Sequence, residues 1–331
     1  MASERIVVVG GSAGGVRALQ TLASTLPADF PAPILVVQHI GSHPSILPQL
    51  LARSGPLPAA HARDGERISP GRIHVAPPDY HMLVDGDFIR LSHGPKEQYT
   101  RPAIDPLFRS TAVAWAQRTI GVLLSGLLDD GTEGLQGIKR SGGIAVVQDP
   151  ADAEMPSMPL SALEYVDVDY RRPMSSMGAL LVSLVARPAP ASAKVAPIRE
   201  IVAENDILLG KGDFMENLRS IASPSTFACP ECHGALWEVD HAKPRRFRCH
   251  TGHGYTLRTL QHAQSTSADE ALWSALRALQ EKQLLLETLA ESHARAGDAD
   301  EARRLAEEAA LAREHGETLR RLVESVPPPP Q

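Results

Sequence analysis

The strongest constraint on the fold is a repeated alternation in the first half of the chain. Short apolar runs, Arg5–Val9 (RIVVV), Ile34–Gln38 (ILVVQ), Gly121–Ser125 (GVLLS) and Ile144–Gln148 (IAVVQ), are interleaved with helical stretches such as Val16–Leu26, Pro106–Gln117 and Gly134–Ser141. Runs that are apolar throughout belong to strands covered on both faces. Joining such strands through helices takes crossover connections and therefore gives a parallel sheet. The expectation is an α/β domain, doubly wound and mostly parallel. Between the second and third runs, Arg72–Ala76, His81–Val84 and Phe88–Leu91 read as a hairpin-like stretch, with Asp85-Gly86-Asp87 as its turn. The regular pattern fades near Arg187.

Composition narrows the function. The 331 residues leave room for more than one domain. With 33 basic and 39 acidic residues the net charge is −6, so the chain as a whole has no pull towards nucleic acid or anionic lipid. Aromatics at 4% are thin for stacking on single strands. Nucleic acid is not an expected partner. The longest apolar stretches, near Ile120–Leu128 and Ala179–Ala186, fall short of the ~20 residues that span a bilayer. The amino end also lacks the apolar core of a signal peptide. Neither membrane insertion nor export is expected. The three cysteines are an odd count, which argues against a disulfide framework and for a reduced, cytoplasmic setting.

Three readings compete for Val9-Gly10-Gly11-Ser12-Ala13-Gly14-Gly15, which joins the first run to the first helix. A dinucleotide fingerprint needs glycine where Ser12 stands, and Asp29 comes too early to hold a ribose. A phosphate loop ends in Gly-Lys-Ser/Thr, and the turn has no lysine. Gly10-x-Ser12-x-Gly14 matches a nucleophile turn, where a serine on a tight corner lifts its oxygen above the sheet edge. N–H groups at the helix start, that of Ala13 first, can then face a developing oxyanion. The turn alone fits a phosphate site at least as well.

A serine nucleophile needs a base and a group that orients the base. Open parallel sheets bind ligands beyond the carboxyl ends of their strands. ILVVQ runs into His39, and GVLLS runs into Gly126-Leu127-Leu128-Asp129-Asp130-Gly131. Taken singly, His39 reads as a strand-capping histidine and either Asp as a turn acid. Together with Ser12 on one edge they read as a Ser-His-Asp set, in a different chain order from the α/β-hydrolases. His61, His74, His81 and His93 end no obvious parallel strand and read as structural or surface residues.

GGSAGG, VVQHI, RPAIDPLFRSTA, GVLLSGLLDDGTEGL, GGIAVVQDP and MPSMPLSAL follow one another in the order and spacing of a known family. From Ile6 to Val185 the chain resembles the catalytic domain of the chemotaxis protein-glutamate methylesterase CheB. The resemblance implies hydrolysis of glutamyl γ-methyl esters on a methylated receptor or another signalling protein, glutamine deamidation at such sites, and no cofactor for catalysis. It implies Ser12 as nucleophile, His39 as base and acid, Asp130 rather than Asp129 as orienter, and the Leu127 N–H beside that of Ala13 at the oxyanion. Two residues depart from the pattern. Ala13 stands where the family usually has Thr, and Leu128 stands where its loop commonly has Gly. The chain is also expected to act alone, without the family's amino-terminal phosphoacceptor domain.

The second half carries every cysteine. Cys229-Pro-Glu-Cys232 and Cys249-His250-Thr-Gly-His253 give a Cys3His set of Cys229, Cys232, Cys249 and His253 with the spacing of a structural zinc site, His250 being the alternative fourth ligand. Trp237 and Phe247 are expected to cover the metal. Lys243–Arg258 is basic and reads as a solvated face of a small zinc ribbon, with nucleic acid or an acidic partner as the sharper alternative. Ser267–Glu324 reads as a helical hairpin, starting at the capping box Ser267–Glu270 and resuming after Gly297-Asp298. Leu272, Leu276, Leu279 and Leu286 line one stripe; Ala302, Leu305, Ala309, Ala312, Leu319 and Val323 line the other. A homodimer through these helices and a hairpin packed on its own chain both fit. The expected division is 1–186 methylesterase-like, 187–225 linker and short helical segment, 226–260 zinc knuckle, 266–325 helical hairpin and 326–331 Pro-rich tail. A competing function is a zinc-knuckle signalling adaptor that is non-catalytic or differently specific.

Overall fold

The computed structural model describes residues 4–189 and 198–325, and the chain divides into two compact units, Met1–Leu260 and Gln261–Gln331. Most of the Pro/Ala-rich linker and the whole Pro-rich tail lie outside the described residues.

β1 (Ile6–Gly11) is buried along its whole length. It lies at the centre of the sheet, parallel to β2 (Ile34–Gln38) on one side and to β7 (Thr119–Leu123) on the other. β3 (Ala59–His61), β4 (Ile73–Val75), β8 (Ile144–Gln148) and β9 (Tyr170–Arg172) complete a seven-stranded sheet in the order β3-β4-β2-β1-β7-β8-β9. All its pairings are parallel. Successive side chains of β1 leave by opposite faces. Val7 and Val9 pack with Leu19 and Leu22 of α1 (Gly15–Thr25) and Met177 and Leu181 of α6 (Met174–Val185). Ile6 and Val8 pack with α3 (Ile104–Trp115), α4 (Thr132–Arg140) and α5 (Ser157–Tyr165). The sheet is therefore covered on both faces, and its apolar strands need no polar side.

The middle stretch departs from the expectation in part. β5 (His81–Asp85) and β6 (Phe88–Ser92) do form an antiparallel hairpin. Arg72–Ala76 is no part of it: Ile73–Val75 is β4, parallel to β2 and β3. His74 disguised it, since its ring is only 1% exposed and lies 3.4 Å from Glu66. His61 ends β3, a strand too short to register as an apolar run, so one of the discounted histidines does end a parallel strand. Its Nε2 meets the Ser45 carbonyl.

The first unit continues with α7 (Arg199–Leu209), α8 (Phe214–Arg219) and an antiparallel sheet of β10 (Ala222–Ala228), β11 (Ala235–Val239), β12 (Arg246–Cys249) and β13 (Gly254–Thr256). Its basic run is a solvated face only in part, since Lys243, Arg245 and Arg258 are exposed. Arg246 and Arg248 are 7% and 2% exposed and pair with Glu97, Glu133 and Glu204. Arg109 joins the same cluster through Glu97 and Glu133. Burial works against the Glu204 carboxylate, yet Arg246, Arg109 and Arg248 hold it below its ordinary range.

α9 (Leu257–Arg295) begins ten residues before the expected cap. Ser267 lies inside it, and the box that opens it is Thr256–Thr259, in which each side-chain oxygen accepts from the other residue's N–H. α10 (Ala299–Glu324) is capped by Asp298, which accepts from the Glu301 N–H. Within the second unit Leu286 and Ala290 pack on Leu305 and Ala309. Among the described residues no helix is long and apolar enough to cross a membrane.

Candidate active site

Ser12 follows directly on β1, in a turn that Gly14 closes in the left-handed region at φ 77°. A side chain on Gly10 would put its Cβ 2.3 Å from Ile104 Cγ2, so that position holds glycine because α3 crosses the strand there. The Ser12 N–H donates to the Ser125 carbonyl, and the Gln38 amide donates to the Ser12 carbonyl, fixing the turn between β2 and the segment after β7. His39 follows β2, and its N–H donates to Gly11 O. Its Nδ1 is 3.0 Å from Ser12 Oγ and its Nε2 is 2.7 Å from Asp130 Oδ2. A carboxylate can only accept, so the ring proton sits on Nε2 and Nδ1 is left to accept from the serine.

Asp130 is 2% exposed. Oδ2 also accepts from Ile104 N–H, while Oδ1 accepts from Asp105 and Gly131 N–H. The residue thus caps the start of α3, where free N–H groups favour a negative charge. Burial pushes its carboxyl up, but the hydrogen bonds from His39, Ile104 and Asp105 hold it below the ordinary range. Asp105 has gone the opposite way, raised by burial and by the charges of Asp130 and Glu133. Asp129 does not face His39. Its Oδ1 accepts from Thr256 Oγ1 at 2.9 Å, and burial raises its pKa to about 6.

Ile104 and Asp105 are site residues that side-chain reasoning missed, because they act through backbone N–H groups. The signal was Pro106, a residue at home in a first helical turn; the helix starts two residues before it. Among the described residues, the N–H groups of Ala13 and Leu127 meet no protein acceptor. Leu127 is 42% exposed. Leu128 adopts φ 62°, the left-handed region that glycine occupies without cost.

Cys229, Cys232, Cys249 and His253 also converge, with all ligand atoms within 4.8 Å of one another. Cys232 Sγ lies 3.6 Å from Cys249 Sγ, and His253 Nδ1 lies 3.4 Å from Cys249 Sγ and 3.7 Å from Cys229 Sγ. Separations of this size would suit a tetrahedral cation with metal–sulfur bonds of about 2.3 Å. The remaining ring nitrogen of His253 is 3.6 Å from Glu231 Oε2, an acid placed to orient the ring. His250 is not in the set; its ring packs over Gly234, where a Cβ would stand 1.8 Å away. Trp237 does not cover the sulfurs either but packs with Leu218 and Ile221, while the Tyr255 hydroxyl approaches Cys229.

Comparison with known proteins decides the family. The CheB methylesterase family description matches residues 7–181. The chain belongs to the CheB methylesterase family. That places it among carboxylic ester hydrolases. An Anaeromyxobacter dehalogenans protein named "Protein-glutamate methylesterase/protein-glutamine glutaminase 3" is 44% identical over 161 residues, which are 48% of this chain and 47% of that one. A Leptospira interrogans relative, provisionally named for the same two activities, is 39% identical over 180 residues, or 54% of this chain and 93% of that one. The crystal structure of the Thermotoga maritima CheB methylesterase catalytic domain is similar at a TM-score of 0.53 and 34% identity, covering 54% of this chain and 98% of that one. The Cys/His cluster, the buried arginines of β12 and the long helices all lie beyond the residues matched to CheB.

Proposed function

We propose that the chain hydrolyses glutamyl γ-methyl esters on a methylated receptor or another signalling protein, with Ser12, His39 and Asp130 as its catalytic residues. The observation that carries this reading is the unbroken Ser12–His39–Asp130 hydrogen-bond line at the carboxyl edge of the sheet. Ser12 Oγ attacks the ester carbonyl carbon and passes its proton to His39 Nδ1. The oxyanion faces the N–H groups of Ala13 and Leu127. Asp130 keeps the ring in its tautomer and stabilises the imidazolium. Collapse breaks the carbon–methoxy bond, and His39 returns the proton so that methanol leaves. Water, deprotonated by His39, then cleaves the acyl-serine to release glutamate. The same steps with an amide release ammonia, and the glutaminase activity in the relatives' names supports that second substrate. Catalysis by this route takes no cofactor.

On this reading residues 1–186 would carry catalysis, and 226–260 would form a knuckle, its sheet beginning at Ala222, that would hold one Zn²⁺ on Cys229, Cys232, Cys249 and His253. A closed Cys3His set leaves no coordination position for substrate, so the ion's contribution is to folding.

The test is methanol release from a methylated receptor. Ser12→Ala in the full chain is expected to lower the rate by about 10³-fold or more. An unchanged rate contradicts the assignment, and a parent chain that releases no methanol favours the adaptor reading.

A further inference from the structure

Two chains of contact run from the start of α9 to the loop that carries Asp130, and all their members lie in the first unit. The first is direct. Thr256 Oγ1 donates to Asp129 Oδ1 at 2.9 Å, and Asp129 immediately precedes Asp130. The second runs through Gln98. Thr256 N–H and Thr259 Oγ1 both donate to Gln98 Oε1, at 3.0 and 2.6 Å. Gln98 Nε2 in turn reaches Asp105 Oδ2, and the Asp105 N–H donates to Asp130 Oδ1. Thr256, Thr259, Gln98, Asp105 and Asp129 are all at most 7% exposed. Water cannot stand in for a lost partner at such depth.

The backbone is strained where these chains meet. Gln98 and Tyr99 adopt φ 51° and 64°, a conformation that non-glycine residues hold only when their surroundings impose it. What imposes it is the edge of the knuckle sheet: the Gln98 N–H donates to Gly254 O and the Gly254 N–H donates to Lys96 O. One residue before Gln98, Glu97 pairs with Arg248 of β12 and with Arg109 of α3. On the other side, the Asp130 loop holds its own left-handed Leu128. A buried Asp129 carboxylate without the Thr256 hydroxyl would move towards solvent, and Asp130 would move with it.

We infer that Thr256 is a positioning residue for the triad, through which the Cys/His extension holds Asp130 in register with His39. This rests on the proposed hydrolase function for its kinetic consequence but not for its structural one. The extension is then part of the active site's support as well as an appended module.

The experiment compares the full chain with Thr256→Val and Thr256→Ser, with Thr256→Ala in place of a valine variant that does not fold. It reads amide exchange at Ile104, Asp105 and Gly131, the three N–H groups that hold Asp130, together with kcat and KM on a glutamyl γ-methyl ester peptide. Thr256→Val is expected to speed exchange at those amides and lower kcat by about tenfold each, with KM within about twofold. Thr256→Ser restores both. Parental exchange at the three amides, or a parental kcat in Thr256→Val, overturns the inference. Faster exchange in a chain whose parent turns over no ester supports the positioning and refutes the hydrolase reading, so the two failures are separable.

Discussion

Asp129 and Asp130 are consecutive, buried and opposite in character. Asp130 is surrounded by donors and stays charged; Asp129 has the Thr256 hydroxyl against a large desolvation, and its pKa rises to about 6. The sign follows from linkage. The folded chain holds the Asp129 proton more tightly than the unfolded chain does. The favourable contribution is therefore complete below the unfolded value near 4 and is lost as pH rises through about 6. At pH 7.5 the ionised side chain costs stability, and Asp129→Asn should raise the unfolding free energy by about 2 kcal/mol while flattening its fall between pH 4 and 6. Unfolding curves at two pH values check this; an unchanged or lower midpoint at pH 7.5 contradicts it. Residue chemistry also explains what could be read in advance. Ser12 and His39 each follow an apolar strand, so strand ends located both, whereas only family resemblance separated Asp130 from Asp129. The difference lies in which donors face each carboxyl, and those donors, Ile104 N–H and Thr256 Oγ1, stand 26 and 127 residues away.

At the scale of elements, β12 shows how a strand can serve two structures. Its period of two sends Arg246 and Arg248 to one face and Phe247 and Cys249 to the other. One face meets Glu97, Glu133 and Glu204; the other contributes a candidate metal ligand. The ligand spacing was legible because it is local. The acids that pair with Arg246 and Arg248 come from three distant segments, so the burial of these two arginines had no local sign. Short edge strands such as β3 and β9 escaped for a related reason: with three residues each and partial exposure, they carry no apolar signature. The cap of α9 was misplaced because Ser267–Glu270 satisfies the pattern while Thr256–Thr259 makes the hydrogen bonds. The purified chain should carry about one zinc per molecule, and removing it with a chelator should lower the melting temperature by roughly 5 °C or more. Metal analysis and melting curves decide it: a chain without zinc, or one indifferent to its removal, contradicts a structural metal site.

At the scale of the molecule, a parallel sheet covered on both faces brings residues 12, 39 and 130 to one edge, and a second, antiparallel sheet buttresses the segment behind them. The first sheet was legible because continuous apolar runs leave few alternatives. The buttress was not, because it depends on buried ion pairs and hydrogen bonds between parts of the chain up to 161 residues apart. Activation of Ser12 as a nucleophile by His39 is read by covalent labelling with a fluorophosphonate, mapped by mass spectrometry. A single adduct on Ser12 is expected in the parent chain, with labelling slowed at least about 100-fold in His39→Ala. A folded parent chain that leaves Ser12 unlabelled, or labelling of Ser12 at the same rate without His39, would contradict it.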